Sequence, residues 1–190
     1  MKLVFLDRDG VINKFPGNGN YVTKIKDFHF LPGVFEALKT LTGEGYKIFV
    51  ISNQAGVGKG IYSREKLQQI TYKMLAEIKR HGGKIQKVFY CTHRSDHGCD
   101  CRKPAIGSVR RALALMDKRI HHAKKAFFVG DTESDILAGH NAGCKTIFVL
   151  SGHENRRHMR SWDVKPDYVA KDLLEATGII QSGNGFTHHA

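Results

Sequence analysis

Five short apolar runs recur along the chain, and polar segments separate them. They are LVFL (3–6), KIFVI (47–51), KVFY (87–90), AFFV (126–129) and TIFVL (146–150). Continuous apolar runs of this length, rich in β-branched and aromatic residues, are typical of parallel strands that are buried on both faces. The pattern therefore predicts five buried strands.

Segments with helical spacing of apolar residues lie between these runs. The clearest begins after Ser63, a residue type that caps helix N-termini, and ends at Gly82-Gly83. Its apolar face consists of Leu67, Ile70, Met74, Leu75 and Ile78. Other helices are predicted over 33–42, 106–118 and 134–142. Strands that alternate with helices predict an α/β fold with a doubly wound, mainly parallel sheet.

Polar residues follow four of the predicted strands. They are Asp7-Arg8-Asp9, Ser52-Asn53-Gln54, Cys91-x-His93 and Gly130-Asp131. Ligands of a doubly wound sheet bind beyond the carboxyl ends of its strands. We therefore expect these residues to meet at one edge of the sheet and to form the site.

The length and composition of the chain fit one globular domain. It has 190 residues, 41% of them hydrophobic and 25% charged. We expect a single domain over 1–180 and a mobile tail over 181–190, where Gly and small polar residues dominate. No apolar run approaches the roughly 20 residues that span a membrane, and Asp7 interrupts any signal-peptide pattern.

The charge and the cysteines suggest a compartment and a class of partner. Three clustered cysteines and an isolated Cys144 do not resemble a disulfide framework, so we expect a cytoplasmic protein. The formal charge of +12 favours an anionic partner, such as a phosphorylated metabolite or a nucleic acid. The basic residues are dispersed, however, and solvated helix faces account for most of them.

Two carboxylates, Asp7 and Asp9, leave the end of the first predicted strand together. Such concentrated negative charge needs a cation or a proton to offset it. The sequence lacks the longer ligand run and distant glutamate of an EF-hand calcium loop. Mg²⁺ fits better, with Asp131 as a further ligand. A phosphate bound there could be attacked by one aspartate while the other moves the leaving group's proton.

A second cluster, Cys91-x-His93-x5-Cys99-x-Cys101, offers three thiolates and an imidazole. This is a closed tetrahedral donor set for structural Zn²⁺. A redox pair formed by Cys99 and Cys101 is the alternative. His97 also lies in the loop, but Cys91 and His93 project to the same face of an extended segment, which favours His93 as the ligand.

The segments VFLDRDGV, VISNQ, RKP and VGDTESD, in this order, resemble the haloacid dehalogenase superfamily of phosphotransferases over nearly the whole chain. The resemblance implies that Asp7 is the nucleophile and Asp9 the general acid/base, and that Ser52 and Lys103 bind the transferring phosphoryl group. It further implies that Mg²⁺ is held by Asp7, the backbone carbonyl of Asp9 and Asp131, with Asp135 in support.

The arrangement CxH…CxCRKP is similar to a zinc-bearing branch of this superfamily, whose members dephosphorylate heptose 1,7-bisphosphate or histidinol phosphate. These relatives are compact and lack a large cap domain. The run SNQAGVGKG resembles the heptose enzymes more closely than the histidinol enzymes. This resemblance implies removal of the C7 phosphate of the heptose bisphosphate, in the route to lipopolysaccharide heptose. The implied substrate contacts are Asp7, Arg8, Asp9, Asn18, Gly19, Asn20, Tyr21, Ser52, Asn53, Gln54, Ala55, Arg102 and Lys103.

Two departures from that branch leave the preferred anomer open. The loop FPGNGNY (15–21) is longer than the usual version, and Thr132 stands where some heptose phosphatases carry lysine. Histidinol-phosphate phosphatase, nucleic-acid 3′-phosphatase and a non-catalytic zinc module are the alternatives. The composition, 9% aromatic with one Trp, argues against a stacking groove for nucleic acid. We expect a monomer that acts on a small phosphorylated sugar.

Overall fold

A six-stranded parallel sheet runs through the computed structural model, which describes residues 2–183. Its strands are β1 (Leu3–Leu6), β2 (Lys47–Asn53), β3 (Ile85–Cys91), β4 (Ala126–Gly130), β5 (Lys145–Val149) and β6 (Tyr168–Ala170). Their order across the sheet is β3-β2-β1-β4-β5-β6. The five predicted strands and the doubly wound α/β fold are confirmed, but β3 is not buried as predicted: it lies at the edge of the sheet, and only its last residue, Cys91, is buried. The sixth strand was missed because three residues are too few to show an apolar pattern.

Helices cover both faces of the sheet. They are α1 (Val34–Gly43), α2 (Ala55–Gly58), α3 (Arg64–Arg80), α4 (Gly107–Ala114), α5 (Glu133–Ala142), α6 (Arg156–Met159) and α7 (Leu173–Gln181). Short 3₁₀ turns lie at Ile25–Asp27, Ser95–His97 and Ile120–Lys125. Ser63 caps α3 as predicted, since its side chain accepts from the Lys66 amide over 3.3 Å.

Two predictions about helices need correction. The helix expected over 106–118 ends at Ala114, because the chain turns there and Asp117 adopts a positive φ of 51°. Helix α7 was not predicted, although Asp172 caps it by accepting from the Glu175 amide over 3.0 Å. An acidic residue followed three positions later by Glu is a recognisable N-terminal signal. The predicted mobile tail begins at Gln181, the last residue of α7, and lies outside the described residues from 184 onwards.

The core lies on both sides of the central strands. On one side the rings of Phe49 and Phe128 lie 6.1 and 6.0 Å from that of Phe5 and pack under α4 and α5. On the other side, strand residues that include Val4 and Leu6 pack against α1, α3 and α7. Burial of each such side chain stabilises the fold by about 1.5–3 kcal/mol. The central strands therefore form a rigid base for the residues that follow them.

The strand order brings the predicted site residues to one place. Leu6, the last residue of β1, pairs with Val50 of β2 and with Val129 of β4. The chain therefore leaves all three strands at neighbouring points of the carboxyl edge, where the sheet reverses its winding direction. Among residues 2–183, no helix has the length and apolar character that a bilayer crossing requires.

Candidate active site

Three carboxylates and one ammonium group meet beyond the ends of β1 and β4. Oxygen atoms of Asp7, Asp131 and Asp135 all lie within 4.8 Å of one another. The Lys103 Nζ lies 2.7 Å from Asp7 Oδ1 and 2.5 Å from Asp135 Oδ1. All four residues are buried. The cluster carries more acidic than basic groups, which fits a site that also receives a cation.

Burial raises the pKa of Asp7 to about 6, although Lys103 opposes the shift and Asp135 adds to it. Burial also raises the pKa of Asp131 well above its usual value, with the neighbouring carboxylates Asp135 and Asp7 as further causes. Both shifts show that negative charge is costly in this cluster without a counter-ion. The buried Asp131 Oδ1 also has no hydrogen-bond partner among residues 2–183. These oxygens fit Mg²⁺, which takes few carboxylates.

Two glycines enclose Asp131. A Cβ atom on Gly10 would lie 2.2 Å from Asp131 Oδ2, and Gly10 has a positive φ of 86°. A Cβ atom on Gly152 would lie 2.0 Å from the same oxygen. The backbone amide of His153 donates to Asp131 Oδ2 over 2.6 Å. One oxygen of Asp131 is thus fixed by the backbone, and the other is left for a ligand.

Asp135 belongs to the first turn of α5 and is held by the residue before the helix. The Thr132 amide and hydroxyl donate to Asp135 Oδ2 over 3.1 and 2.7 Å. Its other oxygen, Oδ1, pairs with Lys103. The predicted supporting acid therefore lies in the cluster, and Thr132 orients it.

Asp9 lies beside this cluster and accepts hydrogen bonds at both carboxylate oxygens. Oδ1 accepts from Arg8 Nη2 and Asn13 Nδ2, each over 2.8 Å, and Oδ2 accepts from Gln54 Nε2 over 2.7 Å. Its carboxylate is not among the three that converge for a metal. This geometry separates the predicted acid/base from the metal-binding oxygens and fixes the orientation of its carboxylate.

Arg8 is fully buried, and its guanidinium lies 5.9 Å from the Phe28 ring centre and 5.7 Å from that of Tyr90. Its Nη2 donates to both oxygens of Asp9. The structure thus places this side chain behind Asp9, and a substrate contact by Arg8 stays a prediction.

Lys103 is positioned by a second predicted residue. Asn53 Oδ1 accepts from the Lys103 amide over 3.1 Å, and Asn53 Nδ2 donates to the Lys103 carbonyl over 3.2 Å. The end of β2 thereby holds the backbone of the RKP segment. Arg102 is partly buried, and its Nη1 has no hydrogen-bond partner within the part of the chain that the structure describes. Ala55, two positions after Asn53, is the first residue of α2 and is buried.

The loop predicted to border the substrate lies over the same edge. Asn18, Gly19 and Asn20 are exposed, whereas Tyr21 is partly buried with its ring 6.1 Å from that of Tyr62. At the start of the loop, the Phe15 ring lies 4.7 Å from the His153 ring. The two ends of the loop therefore pack against the segments after β5 and α2, and its tip is exposed to solvent.

The cysteine loop closes into a compact donor set. The Cys91 and Cys101 sulfurs lie 3.6 and 3.5 Å from that of Cys99, and His93 Nδ1 lies 3.7 Å from Cys91 Sγ and 3.3 Å from Cys101 Sγ. A tetrahedral Zn²⁺ site with Zn–S bonds of about 2.3 Å has sulfur–sulfur edges of roughly 3.8 Å. The donor set therefore fits zinc, and His97 lies outside it.

Burial and hydrogen bonds with Cys101 and Cys99 raise the pKa of the Cys91 thiol to about 12. Several thiolates in one cluster repel one another unless a cation binds between them. Four converging donors, one of them an imidazole nitrogen, favour a metal over an isolated redox pair of Cys99 and Cys101.

Several contributors to the site were missed from sequence. Asn13 and Tyr62 act through single hydrogen bonds, and Gly152 and His153 through the backbone that encloses Asp131. Of these residues, Gly152 could have been found from sequence, because it lies two positions after the predicted strand 146–150, at the carboxyl edge of the sheet.

Comparisons with known proteins agree with this geometry. Residues 100–176 match the family model described as HAD-hydrolase-like. The chain is 37% identical over 153 residues to the D-glycero-beta-D-manno-heptose-1,7-bisphosphate 7-phosphatase of Helicobacter pylori strain J99, covering 79% of this chain and 83% of that protein. It is 38% identical over 182 residues to the phosphatase of the same name from Haemophilus ducreyi, covering 92% and 95%.

A relative named for the alpha anomer is similar to this chain to the same extent. The D-glycero-alpha-D-manno-heptose-1,7-bisphosphate 7-phosphatase of Campylobacter jejuni is 37% identical over 150 residues, covering 79% of this chain and 83% of that protein. Among solved structures, the D,D-heptose 1,7-bisphosphate phosphatase of B. bronchiseptica, complexed with magnesium and phosphate, superimposes with a TM-score of 0.86. It is 29% identical, and the match covers 96% of this chain and 99% of that one.

Proposed function

This chain belongs to the family of D-glycero-D-manno-heptose-1,7-bisphosphate 7-phosphatases, and we propose that it removes the C7 phosphate of that sugar through an aspartyl-phosphate on Asp7. The observation that carries the proposal is the contact between Asp7 and Lys103 inside the carboxylate cluster. It pairs a candidate nucleophile with a cation that can neutralise a phosphoryl group.

In the first step, an Asp7 carboxylate oxygen attacks phosphorus and the bond from phosphorus to the sugar oxygen breaks. Asp9 gives its proton to that leaving oxygen. Lys103 and Ser52 hold the equatorial oxygens of the transferring group. Bound Mg²⁺ would add positive charge next to those oxygens, with Asp7, the Asp9 carbonyl, Asp131 and the supporting Asp135 as the groups that hold it.

In the second step, water attacks the phosphorus of the aspartyl-phosphate and Asp9 accepts its proton. The bond between phosphorus and Asp7 breaks, which restores the carboxylate and releases inorganic phosphate. The hydrogen bonds from Arg8, Asn13 and Gln54 hold the Asp9 carboxyl group in position for this transfer.

The loop over 91–101, called the zinc loop below, is proposed as a structural element that serves this chemistry. Cys101, Arg102 and Lys103 are consecutive, so the metal fixes the segment that delivers both basic residues. Cys91 ends β3, which ties the other side of the loop to the sheet. Zinc held by these three cysteines and His93 would have no position left for a catalytic water.

A comparison of substrates tests the proposed activity. With Mg²⁺ present, phosphate release would be measured for the alpha and beta anomers of D-glycero-D-manno-heptose 1,7-bisphosphate, for histidinol phosphate and for a 3′-phosphorylated oligonucleotide. We expect the highest kcat/KM for a heptose bisphosphate. A higher value for histidinol phosphate or the oligonucleotide would contradict the assigned substrate, and no turnover of any ester would indicate a binding module.

The nucleophile has its own test. Asp7→Asn should abolish turnover while the variant keeps the circular dichroism spectrum of the wild type, because an amide cannot form the phosphoryl ester. Asp163→Asn, on the segment between α6 and β6, is a control that should keep full activity. Substantial phosphatase activity in Asp7→Asn would refute the covalent role of this residue.

A further inference from the structure

A buried chain of hydrogen bonds leads from Tyr62 to the phosphoryl-binding residues. The Tyr62 hydroxyl donates to Gln54 Oε1 over 2.6 Å. Gln54 Nε2 in turn donates to Asp9 Oδ2 over 2.7 Å and to Ser52 Oγ over 3.2 Å. Tyr62 is 5% and Gln54 1% exposed, so bulk water does not compete for these partners.

The direction of each bond in this chain decides what Ser52 can do. A serine hydroxyl has one hydrogen to donate. Because Ser52 Oγ accepts from Gln54, its own hydrogen is left for another acceptor, such as an oxygen of the transferring phosphoryl group. If the Gln54 amide were turned over, its Oε1 would take that hydrogen and would also face the Asp9 carboxylate, where two acceptors would repel each other.

We propose that Tyr62 is a positioning residue that fixes the orientation of the Gln54 amide and thereby keeps the Ser52 hydroxyl hydrogen directed at the phosphoryl group. This inference rests on the phosphoryl transfer proposed above. It assigns a role to a tyrosine that lies outside the catalytic motifs and is linked to Asp9 and Ser52 through Gln54.

Because Tyr62 and Gln54 are buried, the Tyr62 hydroxyl strongly favours one orientation of the Gln54 amide. In the reversed orientation the Gln54 NH₂ group would point at the phenol oxygen, and the Tyr62 hydrogen would lose the acceptor it has now. A buried donor without an acceptor is unfavourable. Burial also raises the pKa of Tyr62 above its usual value of 10, so the phenol keeps the hydrogen that it donates.

The variant Tyr62→Phe removes the hydroxyl and keeps the ring. We expect kcat to fall by about 5–10-fold with KM changed less than about twofold, since the loss concerns an interaction that strengthens in the transition state. Inhibition by orthovanadate, a trigonal-bipyramidal mimic of the transferring group, should weaken by a factor similar to the loss in kcat.

Tyr46→Phe is the matched control. The Tyr46 hydroxyl is also buried and donates to the Ile180 carbonyl over 3.1 Å, away from the site. Its removal should change stability to a similar extent while kcat and vanadate inhibition stay at wild-type values. Gln54→Glu replaces the donating NH₂ by an acceptor, and it should lose more activity than Tyr62→Phe.

A nuclear magnetic resonance measurement tests how firmly the Gln54 amide is held, and it does not depend on turnover. The Gln54 side-chain amide signals, assigned by their loss in Gln54→Glu, should exchange slowly with solvent in the wild type and at least about tenfold faster in Tyr62→Phe. If the wild-type protein had no phosphatase activity, the proposed function would be rejected. The exchange rates would still show whether Tyr62 orders the Gln54 amide. Wild-type kcat, vanadate inhibition and amide exchange in Tyr62→Phe would overturn the inference.

Discussion

At the scale of single residues, the placement of Asp131 depends on what its neighbours lack. Gly152 leaves a space that the Asp131 carboxylate fills, since a Cβ atom would lie 2.0 Å from Oδ2. The Asp131 oxygen is also tied to the His153 amide, so it cannot move away without breaking that bond. Gly152 is therefore expected to determine whether Asp131 can hold a metal.

The variant Gly152→Ala should lower kcat/KM by about 100-fold, the loss typical of a displacement near 1 Å in a catalytic group. It should also raise the Mg²⁺ concentration needed for half-maximal activity. Gly178→Ala is the matched control, because no atom of the described part of the chain lies within 4 Å of a Cβ atom at this α7 position. It should keep full activity and gain up to about 1 kcal/mol of stability. Wild-type turnover and Mg²⁺ dependence in Gly152→Ala would contradict this role.

Residues within the motifs could be identified from sequence, whether they react or support, whereas supporting residues outside the motifs could not. Asp7, Ser52, Lys103 and Asp131 stand in motifs at the ends of apolar runs, and the structure gathers them at one edge. Tyr62 reaches Gln54 through a turn after α2 that no spacing rule specifies. Supporting contacts of this kind depend on tertiary packing, so a single sequence does not reveal them.

At the scale of elements, the zinc loop connects β3 to the segment that carries Lys103. The protein itself already holds the far end of the loop: the Gly107 amide donates to the Asp100 carbonyl over 2.8 Å, and Asn53 binds the Lys103 backbone. Loss of zinc should therefore displace Lys103 only partly. We expect reduced activity in a folded enzyme, not unfolding of the whole chain.

Two histidine variants separate the zinc ligand from its neighbour. His93→Ala should lose bound zinc and about tenfold or more in kcat/KM, because ligand removal frees the loop next to Lys103. His97→Ala should keep both, since His97 is exposed and lies outside the donor set. Metal content would be measured by atomic absorption. Full activity in a folded, zinc-free His93→Ala enzyme would break the proposed link between zinc and Lys103.

The strands that were predicted and the strand that was missed differ in the length of their apolar runs. β1 and β4 are buried along their whole length, and their apolar runs are unmistakable. β6 has three residues, two of them only partly buried, and leaves no such pattern. α4 ended early because a local turn, not the apolar spacing, sets its boundary. Periodicity therefore predicts the centre of this fold better than its edges.

At the scale of the whole molecule, the doubly wound sheet places several acidic groups at one edge of a chain with a net charge of +12. The site is thus a locally acidic spot on a basic protein. The surrounding basic charge favours the approach of a sugar bisphosphate, while the carboxylates favour Mg²⁺. The strand order produces the acidic cluster, because it brings Asp7 next to Asp131 and Asp135, whereas the basic excess comes from the composition.

The same arrangement predicts how Mg²⁺ affects stability at different pH values. The pKa of Asp7 is raised from 3.8 to about 6, and that of Asp131 is also raised, so the metal-free fold binds protons more tightly than the unfolded chain. Their contribution to stability is complete below pH 3.8 and is lost as the pH rises through about 6. Mg²⁺ requires the ionised carboxylates, so its stabilising effect should grow over the same interval.

Thermal unfolding with and without MgCl₂ at pH 5, 6 and 7 would measure this effect. The increase in Tm caused by Mg²⁺ should be small at pH 5 and largest at pH 7, because protons compete with the metal for Asp7 and Asp131 at the lower pH. In Asp131→Asn the increase should disappear at every pH, which separates binding at this cluster from general salt effects. An equal increase at pH 5 and pH 7 in the wild type would mean that these two carboxylates do not govern metal binding.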